Sequence, residues 1–359
     1  LLFVNFIIII LKYNGNFMKS VPYLSWTTPI IAMLVGFFIG AIVIAFSGLN
    51  PVVAYASTFS QFFSSPFKIG EIIVFAVPLM IIGAGLVLSF EANFWNIGAE
   101  GQLWVGGLLA TLIGLYLNTS APVYFVTMVI VAFLGGAAWG LIPVMLKIKY
   151  GTNEILTSML MCPIAILLID ALLTGPLKDP VYFFNQTQLI AIESWLPVIV
   201  PETRITAALF LALACVIIVH LILHRSSLGY QIRAVGHGIR AARASGMDVS
   251  RILLLTMIIS SGLSGVAGYT LLTSIHHRLL RGFSPGGGFL GFWGYGYMAI
   301  AVALLAKGRP LATIGTAAIF GFLEASSYLM EAAAGVSRYI MIFVEAVILI
   351  TIVWLYKIR

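Results

Sequence analysis

The chain has 359 residues, 61% hydrophobic and 9% charged, with a mean hydropathy of +1.09. Soluble domains carry about 25% charged residues, so this composition excludes one and places the chain among polytopic membrane proteins. The formal net charge of +7 would suit a nucleic-acid partner only if it were gathered on one surface; it is spread over alternate loops, which argues against nucleic acid.

The first residues, LLFVNFIIIILKYNGN, hold an apolar run of about eleven residues, short of a span, and no small-residue cleavage site follows. Met18-Lys19 precedes the first full-length run. Residues 1–17 are expected to be an upstream extension without function or an interfacial anchor, and residues 1–26 are set apart from a single transmembrane domain over 27–359. Ten apolar runs follow, at 27–47, 70–90, 101–117, 122–146, 155–173, 204–223, 252–275, 289–306, 311–330 and 339–356. Runs of about 18 residues or more mark helical spans. The expectation is an all-α polytopic membrane protein of about ten transmembrane helices.

Alternate loops hold Lys19, Lys147, Lys149, Arg225, Arg233, Arg240, Arg243, Arg251, Lys307, Arg309, Lys357 and Arg359. The other loops hold Lys68, Lys178, Arg204, Arg278, Arg281 and Arg338. This bias, roughly two to one, is of the positive-inside kind and puts both termini in the cytoplasm. Cys162 and Cys215 lie in separate apolar runs without metal-type spacing and read as small buried residues.

Three inter-span stretches have substance. Residues 174–203, expected outside, include GPLKDPVYFFNQTQLIAIESWLPVIVPE with four prolines, long enough for a cap or docking ledge and equally suited to a plain connector. Residues 224–251, expected in the cytoplasm, contain a helix-forming middle, Gly238 to Ser245, bracketed by Gly236, Gly238 and Gly246. Arg240 and Arg243 share one side of that helix beside Ala241, Ala242 and Ala244. Such a helix suits a cleft in a soluble partner, or a basic loop resting on anionic lipid headgroups. Residues 276–296, HHRLLRGFSPGGGFLGFWGYG, are too glycine-rich for continuous helix, since each interior glycine costs roughly 1 kcal/mol relative to alanine. They read as a loop or re-entrant segment, and His276-His277 as polar loop residues without a third metal ligand. SSGLSGVAGY (260–269) and FLGGAAWG (133–140) carry small residues that let helices pack closely.

The remaining stretch is NFWNIGAEGQLWVGG, Asn93 to Gly107, with two Asn, a Glu, a Gln and four Gly between two apolar runs. Backbone polar groups left unpaired in hydrocarbon cost several kcal/mol each. Such a break is either shielded by protein, lines a wet route, or is an interfacial turn where polarity costs little. Glu91 and Glu100 beside it are functional-site candidates.

WNIGAEGQL (95–103) resembles the NIGAEGQ signature of permease subunits from ATP-binding cassette (ABC) importers, in the branch that takes up nucleosides and simple sugars. GTNEILTSML (151–160), SLGYQIRAVGHGIRAARASGMDV (227–249), SSGLSGVAG (260–268) and GYGYMAIAVALLAKGRP (294–310) are similar to further segments of that family, in the same order. The resemblance covers the chain from about Leu79 onward. It departs at Met298, where the family leads one to expect a polar residue, at Ala299 and Ala306, which replace glycines, and at Cys162, in a position often held by Asn.

The resemblance implies a non-enzymatic subunit. The sequence has no GxxxxGK[ST] phosphate loop, so ATP and Mg²⁺ belong to separate ATPase subunits and this chain needs no cofactor, no metal and no catalytic residue. It also implies a second homologous permease, with a heterodimer expected over a homodimer, an extracellular lipid-anchored substrate-binding protein, surrounding membrane lipids, and a bacterial plasma-membrane location. Gly229, Arg233, Gly236, Arg240, Ala241, Ala242, Arg243 and Gly246 become the segment coupling to the ATPase. Asn96, Glu100, Gln102, Asn153 and Glu154 become candidates for the translocation path or its gate, or for groups that hold the break together. Phe94, Trp95 and Trp104, with Phe292 and Trp293, are candidates for stacking on a flat cargo ring or for interfacial anchoring. Cargo stays open between a nucleoside, a simple sugar and a riboflavin-like molecule. An ion-coupled secondary transporter would instead use intramembrane carboxylates, for which Glu91, Glu100, Asp170, Glu324 and Glu345 are available. A membrane-embedded enzyme would need a clustered catalytic constellation, and neither the His pair nor the scattered acids offers one.

Overall fold

The computed structural model describes residues 27–281 and 294–358. The extension 1–26 and the glycine-rich 282–293 stretch, with Phe292 and Trp293, lie outside the described residues. The helices in chain order are α1 (Thr27–Phe46), α2 (Pro51–Phe62), α3 (Pro66–Glu91), α4 (Ala99–Tyr116), α5 (Ala121–Tyr150) and α6 (Glu154–Thr174). They continue as α7 (Ala208–Arg225), α8 (Ser227–His237), α9 (Ile239–Ala244), α10 (Val249–Leu271), α11 (Tyr295–Ala306), α12 (Ala312–Ala334) and α13 (Arg338–Ile358). The all-α polytopic fold is as expected, and among the described residues each of the ten expected runs overlaps a helix.

Five helices among the described residues are long and apolar enough to cross a bilayer: α3, α5, α6, α7, and α10 with the π-helical turn Leu272–His276 that extends it. The pair α1–α2, bent by 119°, makes a sixth if taken as one span. Four of the expected ten, α4, α11, α12 and α13, lie outside this set, and for two of them the reason is plain. The hydropathy of α4 is diluted by Glu100, Gln102 and its glycines. The 12 residues of α11 span about 18 Å at 1.5 Å per residue, against a hydrocarbon core about 30 Å thick.

The chain divides into two compact units. Among the described residues, the first comprises 27–68 and 323–358. In it α13 packs along α1, where Gly36 and Gly40 admit Ile348 and Val344. The helix α2 was not among the expected elements. It begins where Asn50 Oδ1 accepts from Val52 N (2.9 Å), with Pro51 at the first helical position, an arrangement suited to a helix start.

The second unit is Ile69–Phe322. α4, α5 and α10 pack tightly on one another through the small residues read from the sequence. A side chain on Gly106 would overlap Gly265, one on Gly136 would overlap Ser261 O, and one on Gly268 would overlap Leu103 O. Backbones therefore touch without intervening side chains, which is how membrane helices gain van der Waals contact. α3 and α10 are mostly enclosed, whereas α5, α6 and α7 turn Ile130, Leu160 and Ile218 outward. Both cysteines are buried thiols.

The loops of this unit gather in two sets. The 175–207 segment is tied to the end of α10, with Ile190 N donating to His277 O (3.0 Å) and Leu196 N to Thr273 O (3.1 Å). His277 stacks on Trp195 at 3.7 Å, so it serves this ledge as a loop residue. At the other set, α8 meets the end of α3.

Candidate functional site

α3 ends at Glu91 and the chain turns back at Asn93, whose φ is 55°. Asparagine tolerates this left-handed conformation better than most residues. Phe94 N donates to Ser89 O (3.0 Å), and the chain then runs without regular structure, with Asn96 N donating to Phe94 O (3.1 Å), to Gly98, where α4 starts. This break sits inside the protein: Asn96 is 0% exposed, Glu100 1% and Gln102 1%.

The buried polar groups satisfy one another. Asn96 Nδ2 donates to Gln102 Oε1 (3.0 Å), and Gln102 Nε2 donates back to Asn96 Oδ1 (3.0 Å). Asn96 Oδ1 also accepts from Gly98 N (3.0 Å), and Asn96 Nδ2 lies 3.4 Å from Ser260 Oγ on α10. Ile97 N donates to Ser158 Oγ (3.2 Å), whose hydroxyl donates to Glu154 O (2.6 Å). The polar groups of the break are thus answered, Ile97 N by α6, Gly98 N by Asn96 itself, and the Asn96 amide by α4 and α10, as buried polar groups must be. Ser158 and Ser260 were not singled out from the sequence, although both lie in quoted segments.

Glu100 forms a second node. Its Oε1 accepts from Trp104 Nε1 one turn on (2.9 Å), and its Oε2 from Gly296 N at the start of α11 (2.8 Å). A side chain on Gly294 or Gly296 would collide with Glu100, which is what those glycines are for.

Of the path candidates, the structure brings together Asn96, Glu100 and Gln102. Asn153 and Glu154 sit a turn before Ser158 and are linked to the break through it. Asn153 Oδ1 caps α6 by accepting from Ile155 N (2.9 Å), and Glu154 pairs with Lys147 at 2.7 Å. Phe94 and Trp104 are enclosed by protein, and Trp95 packs on Phe90 at 4.9 Å.

The 224–251 segment holds two helices where one was expected. Ser226 Oγ accepts from Gly229 N (3.1 Å) and starts α8, which buries Ile232 and Val235. Gly229 and Gly236 lie inside α8; Gly236 is there because a side chain would overlap Glu91 O, so it does not mark the end of a helix as expected. Arg233 donates from Nη1 to Leu223 O. Gly238 separates α8 from α9, Gly246 (φ 80°) follows α9, and Asp248 caps α10 by accepting from Arg251 N (3.1 Å). On α9, Arg240, Ala241 and Arg243 are exposed and Ala242 is buried.

A helical membrane body with a closed polar seam and an exposed basic tip of small residues defines a transport subunit. The chain belongs to the family described as branched-chain amino acid transport system / permease component, whose sequence pattern matches residues 68–352. It is therefore a permease subunit of an ABC importer. It is 28% identical to a glucose ABC transporter permease, TsgB13, of Haloferax volcanii over 93% of this chain and 89% of the relative. It is 27% identical to a guanosine ABC transporter permease, NupP, of Bacillus subtilis over 92% and 94%. It is 25% identical to a nucleoside ABC transporter permease, NupB, of Lactococcus lactis subsp. cremoris over 82% of each.

Proposed function

We propose that this subunit forms part of the route by which a nucleoside crosses the bacterial plasma membrane. ATP and Mg²⁺ are bound and used in separate cassette ATPase subunits. A second homologous permease completes a heterodimer among the membrane lipids, and a lipid-anchored binding protein delivers cargo from outside. The guanosine and nucleoside permeases among the relatives support this cargo; the glucose permease supports a sugar.

The observation that carries the reading is the reciprocal amide pair of Asn96 and Gln102, two N–H···O bonds at 3.0 Å in the enclosed break. Each amide presents one donor and one acceptor side by side, the pattern that a nucleobase edge also presents. A base entering the seam can replace one amide as the partner of the other, so the polar groups stay satisfied whether the route is closed or loaded. Phe94 and Trp104, enclosed in the closed arrangement, offer stacking faces once the break opens.

Switching access calls for a bias of about 5.5 kcal/mol to move a two-state equilibrium from 1:99 to 99:1. ATP binding and closure of the ATPase dimer supply it, delivered through α9. The carboxylates an ion-coupled transporter would use do not gather within the second unit. Glu100 is engaged by Trp104 and Gly296, and Asp170 lies 3.7 Å from Arg281.

The test is uptake of tritiated guanosine into proteoliposomes holding the whole complex, with and without internal or external ATP, an uncoupler, and excess glucose. ATP-driven uptake competed by nucleosides and untouched by glucose is expected. Uptake that ignores ATP and collapses with the uncoupler would overturn the mechanism, and competition by glucose alone would overturn the cargo.

A further inference from the structure

The short helix α11 is held at both ends by glutamates. At its start, Gly296 N donates to Glu100 Oε2 (2.8 Å). At its end the chain turns through Lys307 (φ 50°) and Gly308 (φ 70°), and the space a side chain on Gly308 would fill is taken by the Glu91 carboxylate. The same Glu91 offers its main-chain carbonyl to α8, which approaches it backbone to backbone at Gly236. Arg233 and His237, both on α8, lie within electrostatic reach of its carboxylate. Arg233 is also bonded to Leu223 O, and His237 Nδ1 lies 2.7 Å from Arg233 O.

We propose that Glu91 is the positioning residue through which movement of the coupling segment reaches the polar seam. This rests on the reading of α8–α9 as the segment that the ATPase moves.

Two links leave Glu91. One is covalent: residues 92–98 lead directly to Asn96 and Gln102. The other is α11, a strut of about 18 Å at 1.5 Å per residue that ends on Glu100. Helices and close-packed backbones transmit displacement because protein interiors are barely compressible. A shift of α8 against Glu91 therefore moves the two polar nodes together. A glutamate suits the junction: its carbonyl meets the packed backbone, its carboxylate seats the Gly308 turn, and its charge answers the basic side of α8. Neutral glutamine keeps the volume at Gly308 and removes the charge that Arg233 and His237 face.

The experiment uses the whole complex and a readout that needs no knowledge of cargo. Cys162 is 0% exposed, with Sγ 3.6 Å from Ile97 O in the break, so opening of the seam changes its reactivity. In a Cys215→Ala background, labelling of Cys162 by a soluble maleimide is compared between nucleotide-free and ATP-trapped complexes, alongside ATP hydrolysis. The parent is expected to show about a tenfold difference between the two states, within the range of typical coupling. Glu91→Gln is expected to hydrolyse ATP within about twofold of the parent yet to label equally in both states. If Glu91→Gln keeps the parent's difference, or loses hydrolysis and labelling response in parallel, the proposal is overturned. If the parent itself shows no difference, the gating reading beneath it falls as well. Should Glu91→Gln not assemble, Gly308→Ala, which displaces the carboxylate, is read in the same way and by the same outcomes.

Discussion

Glu100 accepts from two donors that have no water to turn to: Trp104 Nε1 at 2.9 Å and Gly296 N at 2.8 Å, with the carboxylate 1% exposed. Glu100→Gln preserves shape but leaves one carbonyl oxygen, so one donor faces an amide N–H₂. Glu100→Leu strands both. A buried donor without its acceptor costs about 1–3 kcal/mol, giving about 1–3 kcal/mol for Gln and about 2–6 kcal/mol for Leu. Hydrogen bonds between membrane helices average about 0.6 kcal/mol because alternative partners are found, which sets the floor. The fixed positions of an indole and of a helix's first N–H make re-pairing harder here, so the larger values are expected. Unfolding in nanodiscs measures this, and the expected order of stability is wild type, then Gln, then Leu. A Leu variant as stable as wild type, or a Gln variant less stable than Leu, would show that Glu100 does not hold α4 to α11.

Arg240→Glu or Ala241→Trp, on the exposed tip of α9, is expected to abolish ATP-driven uptake while leaving the protein in the membrane; normal transport by both would remove the coupling role. Gly265→Val places a side chain against Ala132 O and Gly136, where overpacking costs about 1–3 kcal/mol or more, measurable as a lower unfolding temperature. Asn153→Ala removes the cap that serves Ile155 N and Leu156 N and is expected to cost about 1 kcal/mol, while Asn153→Asp retains it. Burial, and then the charge of Arg278, hold the His277 pKa below 6.5, so the unfolded chain binds the proton more readily. The stability this provides is complete above 6.5 and is lost as pH falls through the folded value. The protection of amides in the 175–207 ledge, taken relative to their intrinsic exchange rate at each pH, is expected to fall on acidification in the wild type, and less so in His277→Phe, which keeps a ring on Trp195.

The helices were legible because a span requires a long apolar run, and each such run became a helix. What escaped were features set by contact rather than composition. α2 is announced by Asn50-Pro51, but its residues lack the length of a span. In α8, Leu228, Ile232 and Val235 follow helical spacing, but the run is short, and the flanking glycines make 238–245 the more evident helix in the sequence. Gly236 looked like punctuation and is in fact a point of approach to a carbonyl from a distant part of the chain. The polar seam was visible as residue types, Asn, Gln and Glu in a greasy setting. Its partners Ser158, Ser260 and Gly296 lie far along the chain and depend on the packing of α4 with α6, α10 and α11.

The half-length of α11 gives these facts one mechanical sense. A full span, anchored at both membrane faces, would resist displacement along its axis. A helix of 12 residues covers about 18 Å, less than a hydrocarbon core about 30 Å thick, and a charged group buried among such helices is costly unless engaged. Glu100 is engaged there by a backbone N–H and an indole, at the N-terminal end where the helix dipole favours an anion. The contact that makes the buried carboxylate tolerable is therefore the same one that ties α4 to the start of α11.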